Sequence, residues 1–190
     1  MVVPNSVTAI EEGAFYGCNN MSSITIPNTV KSIGPSAFYE CYSLASITIP
    51  DSLAVISDFT YYGCRGLTTV TIPRGVTSIG TFAFIGCDNL KDLYSCITTP
   101  YPITQSAFSS YETTTLYVPN GTKSLYQETW YWNHFNKIEE FDPTEIKTLH
   151  ADDTVEMMRY NANGMRVNSP QKGLNLKRMS DGTIRKVMVK

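Results

Sequence analysis

The chain has 190 residues, the size of one large domain or two small ones, with ample length for a hydrophobic core. Charged residues are only 17%, against roughly 25% in an average soluble domain, and Ser and Thr fill the gap at about a fifth of the chain. The net charge of −2 gives no electrostatic footprint of a nucleic-acid binder, and no run approaches the ~18 apolar residues of a membrane-spanning helix. No basic-then-apolar leader opens the sequence at Met1, and two His and five Cys leave little stock for a metal site or a His-based catalytic centre.

From the first residues the chain repeats with a period of 23. Pro4, Pro27, Pro50 and Pro73 keep that spacing, as do Cys18, Cys41, Cys64 and Cys87. The apolar positions recur with them: Val7, Val30, Leu53 and Val76, Ile10, Ile33, Ile56 and Ile79, and Phe15, Phe38, Tyr61 and Phe84. Within a coil, Ser46-Ile47-Thr48-Ile49 alternates polar and apolar, as a half-buried strand does, and Pro50 ends it because proline has no N–H for the ladder. The segment around Pro35–Tyr39 is too short for more than a helical turn. One such coil cannot bury its own apolar face, so the coils must stack. The period therefore predicts a right-handed solenoid over residues 1–119, about five coils, each with a short parallel strand on one face and a turn or short helix on the other. The fifth coil, from about Pro100 to Pro119, is degenerate: Ala107, Phe108, Leu116 and Val118 remain, Tyr111 takes the Cys position, and the stretch from Leu93 to Ile103 looks irregular, with Cys96 out of register.

Residues 120–141 read as a helical C-terminal cap, with an amphipathic helix from about Thr122 to Trp132 and with Trp130 and Trp132 covering the open end of the core. A sugar-binding Trp patch is the functional alternative. Residues 142–154 read as a polar linker. Residues 155–190 alternate in two hairpin patterns, with turn signals at Asn161-Ala162-Asn163-Gly164 and at Asp181-Gly182, and predict a small antiparallel β tail. The tail is basic: residues 156–190 hold eight Lys or Arg against Glu156 and Asp181, whereas residues 1–118 hold four basic and eight acidic side chains.

The pattern Pro-x-x-Val-x-x-Ile-x-x-x-Ala-Phe-x-x-Cys-x-x-Leu-x-x-Ile-x-Ile, as from Pro27 to Ile49, resembles the BspA-like leucine-rich repeat. That resemblance implies a leucine-rich-repeat horseshoe on secreted or surface proteins of gut and oral anaerobic bacteria, some of which act as adhesins for host matrix proteins or other bacteria. It supplies no catalytic motif. The tail, through Tyr160-Asn161-x-Asn163-Gly164-x-Arg166-Val167, Lys172-Gly173-Leu174-Asn175 and Lys186-Val187-Met188-Val189-Lys190, resembles sorting or anchoring segments of surface proteins from the same bacteria. Its alternating Lys and Arg equally suit the open edge of a small sheet.

The ladder Cys18, Cys41, Cys64 and Cys87 places one thiol per coil. A line of sulfurs about 4.8 Å apart cannot converge on a tetrahedral zinc, so these are expected as reduced structural thiols. His134 falls in the cap and His150 in the linker beside Asp152 and Asp153, with no spacing that assembles a nucleophile and base. Catalytic residues, cofactor and metal are each expected to be absent.

What remains is surface. Side chains flanking each inward Ile point outward, giving a ladder of hydroxyls that includes Thr25, Thr48 and Thr71 and ends in Tyr94 and Tyr117. Thr simply suits exposed strands, but the row is also the expected partner-binding face. A second periodic row, Tyr16, Tyr39 and Tyr62 with Ile85, is expected on the opposite side. The expectation is a secreted or cell-surface recognition or adhesion module, located extracellularly, with a host or bacterial surface protein or glycan as partner. Nucleic acid is not expected, and membrane association is expected only through anchoring. A ligand-free rigid spacer of a larger surface protein is the alternative, and a glycan-acting enzyme or its accessory module the weaker one. The first coil has no cap before it, which predicts a piece of a longer array or an end covered by another chain, with self-association there.

Overall fold

The computed structural model describes residues 1–143 and, as backbone only, four strands of the tail. The chain divides into two units, Met1–His150 and Ala151–Lys190.

The first unit is a parallel-strand solenoid. Its strands in chain order are β1 (Ala9–Ile10), β2 (Ser23–Ile24), β3 (Ser32–Ile33), β4 (Ser46–Thr48), β5 (Val55–Ile56), β6 (Thr69–Ile72), β7 (Ser78–Ile79), β8 (Asp92–Ser95), β9 (Thr115–Pro119) and β10 (Lys137–Phe141). Six of them form one sheet in the order β10-β9-β8-β6-β4-β2. The register follows the repeat, Ile24 facing Ile47, Ile47 facing Val70, Val70 facing Leu93 and Leu93 facing Leu116. Shorter ladders, β1 with β3 and β5 with β7, line a second side through Ile10↔Ile33 and Ile56↔Ile79. The inward Ile, Val and Leu of both ladders are buried while their Ser and Thr neighbours are exposed or half-buried, which is the alternation that fixes each strand's register.

Between the second ladder and the next strand the chain turns rather than coiling into a helix. Two positions per coil lie in the left-handed region: Gly13, Ser36, Phe59 and Phe82 at φ 55 to 63, and Gly17, Glu40, Gly63 and Gly86 at φ 54 to 75. A left-handed residue every four positions excludes the short helix that the sequence allowed. The freed backbone groups bond to the next coil instead, Phe15 N–H to Ala37 O at 2.8 Å, Phe38 N–H to Thr60 O at 2.9 Å and Tyr61 N–H to Ala83 O at 2.9 Å. These bonds stack the core rings Phe15, Phe38, Tyr61, Phe84 and Phe108 at centroid distances of 5.1, 5.5, 5.1 and 5.0 Å. Offset stacks at this spacing add to the burial that holds the coils together.

The irregular stretch departs from expectation. Cys96, off the thiol register, stands 23 residues after Pro73 and 23 before Pro119, in the proline row. Having an N–H, it extends the ladder that proline ends elsewhere, donating to Ile72 O at 2.9 Å. The fifth coil gains one residue after it, so that Phe84 faces Phe108, and has lost it again where Leu93 faces Leu116.

The cap also differs. Helix α1 is only Lys123–Glu128, because Thr129 leaves helical geometry at φ −93, ψ 128. A 3₁₀ turn at Trp132–His134 follows, and β10 then pairs in parallel with β9, adding a sixth strand where a helix was expected to end the fold. Trp132 is buried against Phe108 and Tyr126 and donates its indole N–H to Tyr101 O at 2.9 Å. Trp130 is 68% exposed and does not cover the core; Tyr126, fully buried, does so instead.

In the second unit β11 (Glu156–Asn161), β12 (Arg166–Val167), β13 (Gly173–Met179) and β14 (Ile184–Val189) form an antiparallel sheet in the order β12-β11-β13-β14. Of the expected linker 142–154, residues 144–154, with His150, Asp152 and Asp153, lie outside the described residues, as do Ala162, Asn163 and Gly164 of the first expected turn and Asp181-Gly182 of the second.

Candidate partner-binding surface

The six-stranded sheet presents two outward rows, separated by the buried row Ile24, Ile47, Val70, Leu93, Leu116 and Ile138. One row runs Ser23, Ser46, Thr69, Asp92, Thr115 and Lys137. The other brings Thr48, Thr71, Tyr94, Tyr117 and Glu139 together, with Thr25 continuing it beside Val2. All of the second row from Thr25 to Glu139 is half-buried, since each side chain leans on its neighbours along the solenoid axis.

The aromatic end is built by packing. Tyr94 and Tyr117 stack at 4.5 Å with 11° between planes, and Phe141, from the sixth strand, meets Tyr94 edge-on at 5.3 Å. Sequence reading found the two Tyr but not Phe141, because its place depends on β10 joining the sheet. Burial, then the Asp92 carboxylate, push both Tyr hydroxyls above their ordinary value. Toward the other end the row is hydroxyl-bearing and carries no charge.

The thiols do a structural task. Cys41, Cys64 and Cys87 each donate to the carbonyl of the core ring in the preceding coil, Phe15 at 3.1 Å, Phe38 at 3.1 Å and Tyr61 at 3.3 Å. Cys18, in the first coil, is half-buried. All five cysteines are free. Hydrogen bonding to Cys41 and then burial push the Cys64 thiol up, and burial pushes Cys87 to about 12 and Cys96 to about 11. Neutral, buried thiols of this kind are poor nucleophiles. Among the described residues no group of three or more His, Cys, Asp or Glu could hold a metal ion. His134 sits at the surface between Tyr111 and Tyr131, edge-on to both at 5.9 and 4.9 Å.

The second row of rings is also formed. Tyr16, Tyr39 and Tyr62 stack at 4.7 and 4.6 Å on the turn side. Beside them Phe59 and Phe82 stack at 5.0 Å. These two Phe recur at the repeat distance, a signal present in the sequence, but their surface position follows from left-handed backbone that no spacing reveals.

A sheet with one strand per 23-residue coil, closed on itself by turns and a second ladder, defines a leucine-rich-repeat solenoid. The model of the BspA type leucine rich repeat region matches residues 1–109 in six copies, and the chain belongs to that family. Among solved structures it is similar to a leucine rich cell surface protein of Faecalibacterium prausnitzii, with 26% identity and a TM-score of 0.51, over 82% of this chain and 35% of that one. The pneumococcal vaccine antigen PcpA shares the fold, with 18% identity and a TM-score of 0.59, over 75% of this chain and 41% of that one. The chain thus spans well under half the length of either relative. No curated protein matches its sequence.

Proposed function

We propose that the chain is a recognition module of the bacterial cell surface that binds a surface protein or a glycan through the solenoid sheet and performs no catalysis. The observation that carries this reading is the low-charge outward row Thr25, Thr48, Thr71, Tyr94 and Tyr117, ending in rings packed at 4.5 Å. Rigid aromatic groups beside unpaired hydroxyls give contact area and directional hydrogen bonds at little entropic cost. The surface location is supported by the F. prausnitzii protein, itself described as a cell surface protein. The test is a glycan array and a panel of immobilised matrix proteins, probed with the native chain and with Tyr94→Ala/Tyr117→Ala. Saturable binding weakened at least tenfold by the double variant supports the site; binding unchanged by it moves the site elsewhere. A rigid spacer is the second reading, favoured by the chain's spanning 35% of that longer relative, and it predicts no binding on either panel.

A further inference from the structure

The sheet face leaves the turn side unexplained, and there three independent observations coincide. The first is charge. The turn segments 11–19, 34–42, 57–65 and 80–88 carry Glu11, Glu12, Glu40, Asp58 and Asp88 against Arg65 alone, a net of −4. The remainder of residues 1–118 holds three acidic and three basic side chains, so the whole net charge of the solenoid is concentrated on this side.

The second is backbone. Phe59 and Phe82 occupy the position that Gly13 fills in the first coil, at φ 56 and 60. A bulky residue in left-handed backbone is strained, and a glycine would not be. Yet these rings do not join the core: Phe82 is 37% exposed, and the two Phe pack on each other and beside Tyr62. The left-handed backbone recurs in every coil, at Gly13, Ser36, Phe59 and Phe82, but only in these two coils does it carry an apolar ring at the surface.

The third is a contact already made. The Arg65 guanidinium lies over the Tyr42 ring at 5.2 Å from its centroid, on this same side. The surface therefore accommodates a guanidinium on a ring within its own chain. Of the four end members of the two ring stacks, Tyr16, 57% exposed, and Phe82, 37% exposed, stand in solvent, whereas Tyr62 and Phe59 are half-buried.

We propose that the turn side of the solenoid is a docking surface for an arginine-bearing segment of a partner protein. Guanidinium groups stack on the exposed rings of Tyr16 and Phe82 and pair with the carboxylates of Glu12, Glu40 and Asp58. Arginine suits this chemistry better than lysine, because its planar, weakly hydrated cation both stacks and bonds in a bidentate manner. A neutral glycan would use the rings but leaves the concentration of acid unexplained.

The probes are fluorescent Arg-Gly, Lys-Gly and Gln-Gly repeat peptides of equal length, titrated by anisotropy into the full chain at physiological ionic strength. The expected result is saturable binding of the Arg peptide, several-fold weaker binding of the Lys peptide and none of the Gln peptide. Phe82→Gly is expected to weaken the Arg peptide about three- to tenfold while leaving the melting temperature unchanged or raised. Tyr16→Ala, at an exposed ring, is expected to weaken it likewise, and Tyr94→Ala/Tyr117→Ala on the sheet face to leave it unchanged. Equal binding of Arg and Lys peptides that neither Phe82→Gly nor Tyr16→Ala alters overturns the proposal, as does absence of Arg-peptide binding.

Discussion

The hydroxyl of Tyr126 lies 2.6 Å from that of Ser95 and donates to the carbonyl of Ile97 at 2.8 Å, joining helix α1 to the end of β8. Ser95 stands in the inward row after Ile26, Ile49 and Ile72, where an apolar residue would otherwise sit, and is fully buried. Besides a long 3.5 Å contact from the Ile97 N–H, its hydroxyl is paired by the phenol that the cap delivers. Tyr126→Phe removes that partner while keeping the ring. It is expected to destabilise the first unit by about 1–3 kcal/mol, read as a lower urea midpoint with unchanged slope.

The opposite case lies deeper in the core. Tyr61 replaces the Phe of other coils, and its hydroxyl is buried without a hydrogen-bond partner. Burial raises its pKa, so it remains a neutral, unpaired phenol. Tyr61→Phe restores the repeat residue and is expected to stabilise the fold by about 1 kcal/mol, seen as a higher melting temperature.

Two glycines separate close approach from backbone freedom. A Cβ on Gly34 would meet the Glu12 nitrogen at 2.5 Å, a backbone atom that cannot move aside. At Gly17 a Cβ meets nothing within 4 Å, but the residue is at φ 66. Gly17→Ala is expected to cost about 1 kcal/mol from the left-handed backbone alone, and Gly34→Ala about 2–3 kcal/mol through displacement of the neighbouring coil. Urea titration of both variants checks the order.

Thiol accessibility follows the ladder. Cys18 and Cys96 are half-buried, whereas Cys41, Cys64 and Cys87 are buried. Iodoacetamide under native conditions is expected to label the first two and to reach the other three only on unfolding. With its thiol held at about 11, Cys96 reacts slowly at neutral pH and faster as pH rises toward that value, measured by mass spectrometry of its peptide.

Alkaline pH should unfold the solenoid through the same groups. In the unfolded chain the Cys87 thiol ionises near its ordinary 9.0, but in the fold only near about 12. Between those values the folded state holds the proton and the unfolded state does not, so stability falls as pH rises through that window and is unaffected by this group below it. A melting temperature flat from neutrality to about pH 8 and declining above pH 9 is the expected profile.

The row Pro50, Pro73, Cys96 and Pro119 shows how far spacing reaches. The period of 23 determined the coil, the inward Ile and Phe, the stacked thiols and the outward Thr, because every coil must repeat the same contacts with the next. It also contained Cys96's place, which is legible once the proline row rather than the thiol row is followed. Phe141 was not legible: Ile138 of its strand comes 22 residues after Leu116, out of step with the period, and only pairing with β9 carries Phe141 to Tyr94.

The sequence by itself determined the family, the stacking axis and the hydroxyl ladder, since all three are periodic and periodicity is a local property of the chain. Only the tertiary structure decided which ring rows are open. Phe15 and Tyr16 are adjacent and equally periodic, yet the former stacks in the core and the latter stands 57% exposed. Both lie in the turn between the two left-handed positions of each coil, Gly13 and Gly17 in the first, Ser36 and Glu40 in the second, and the path of that turn, a set of dihedrals, places one ring row inward and the next in solvent.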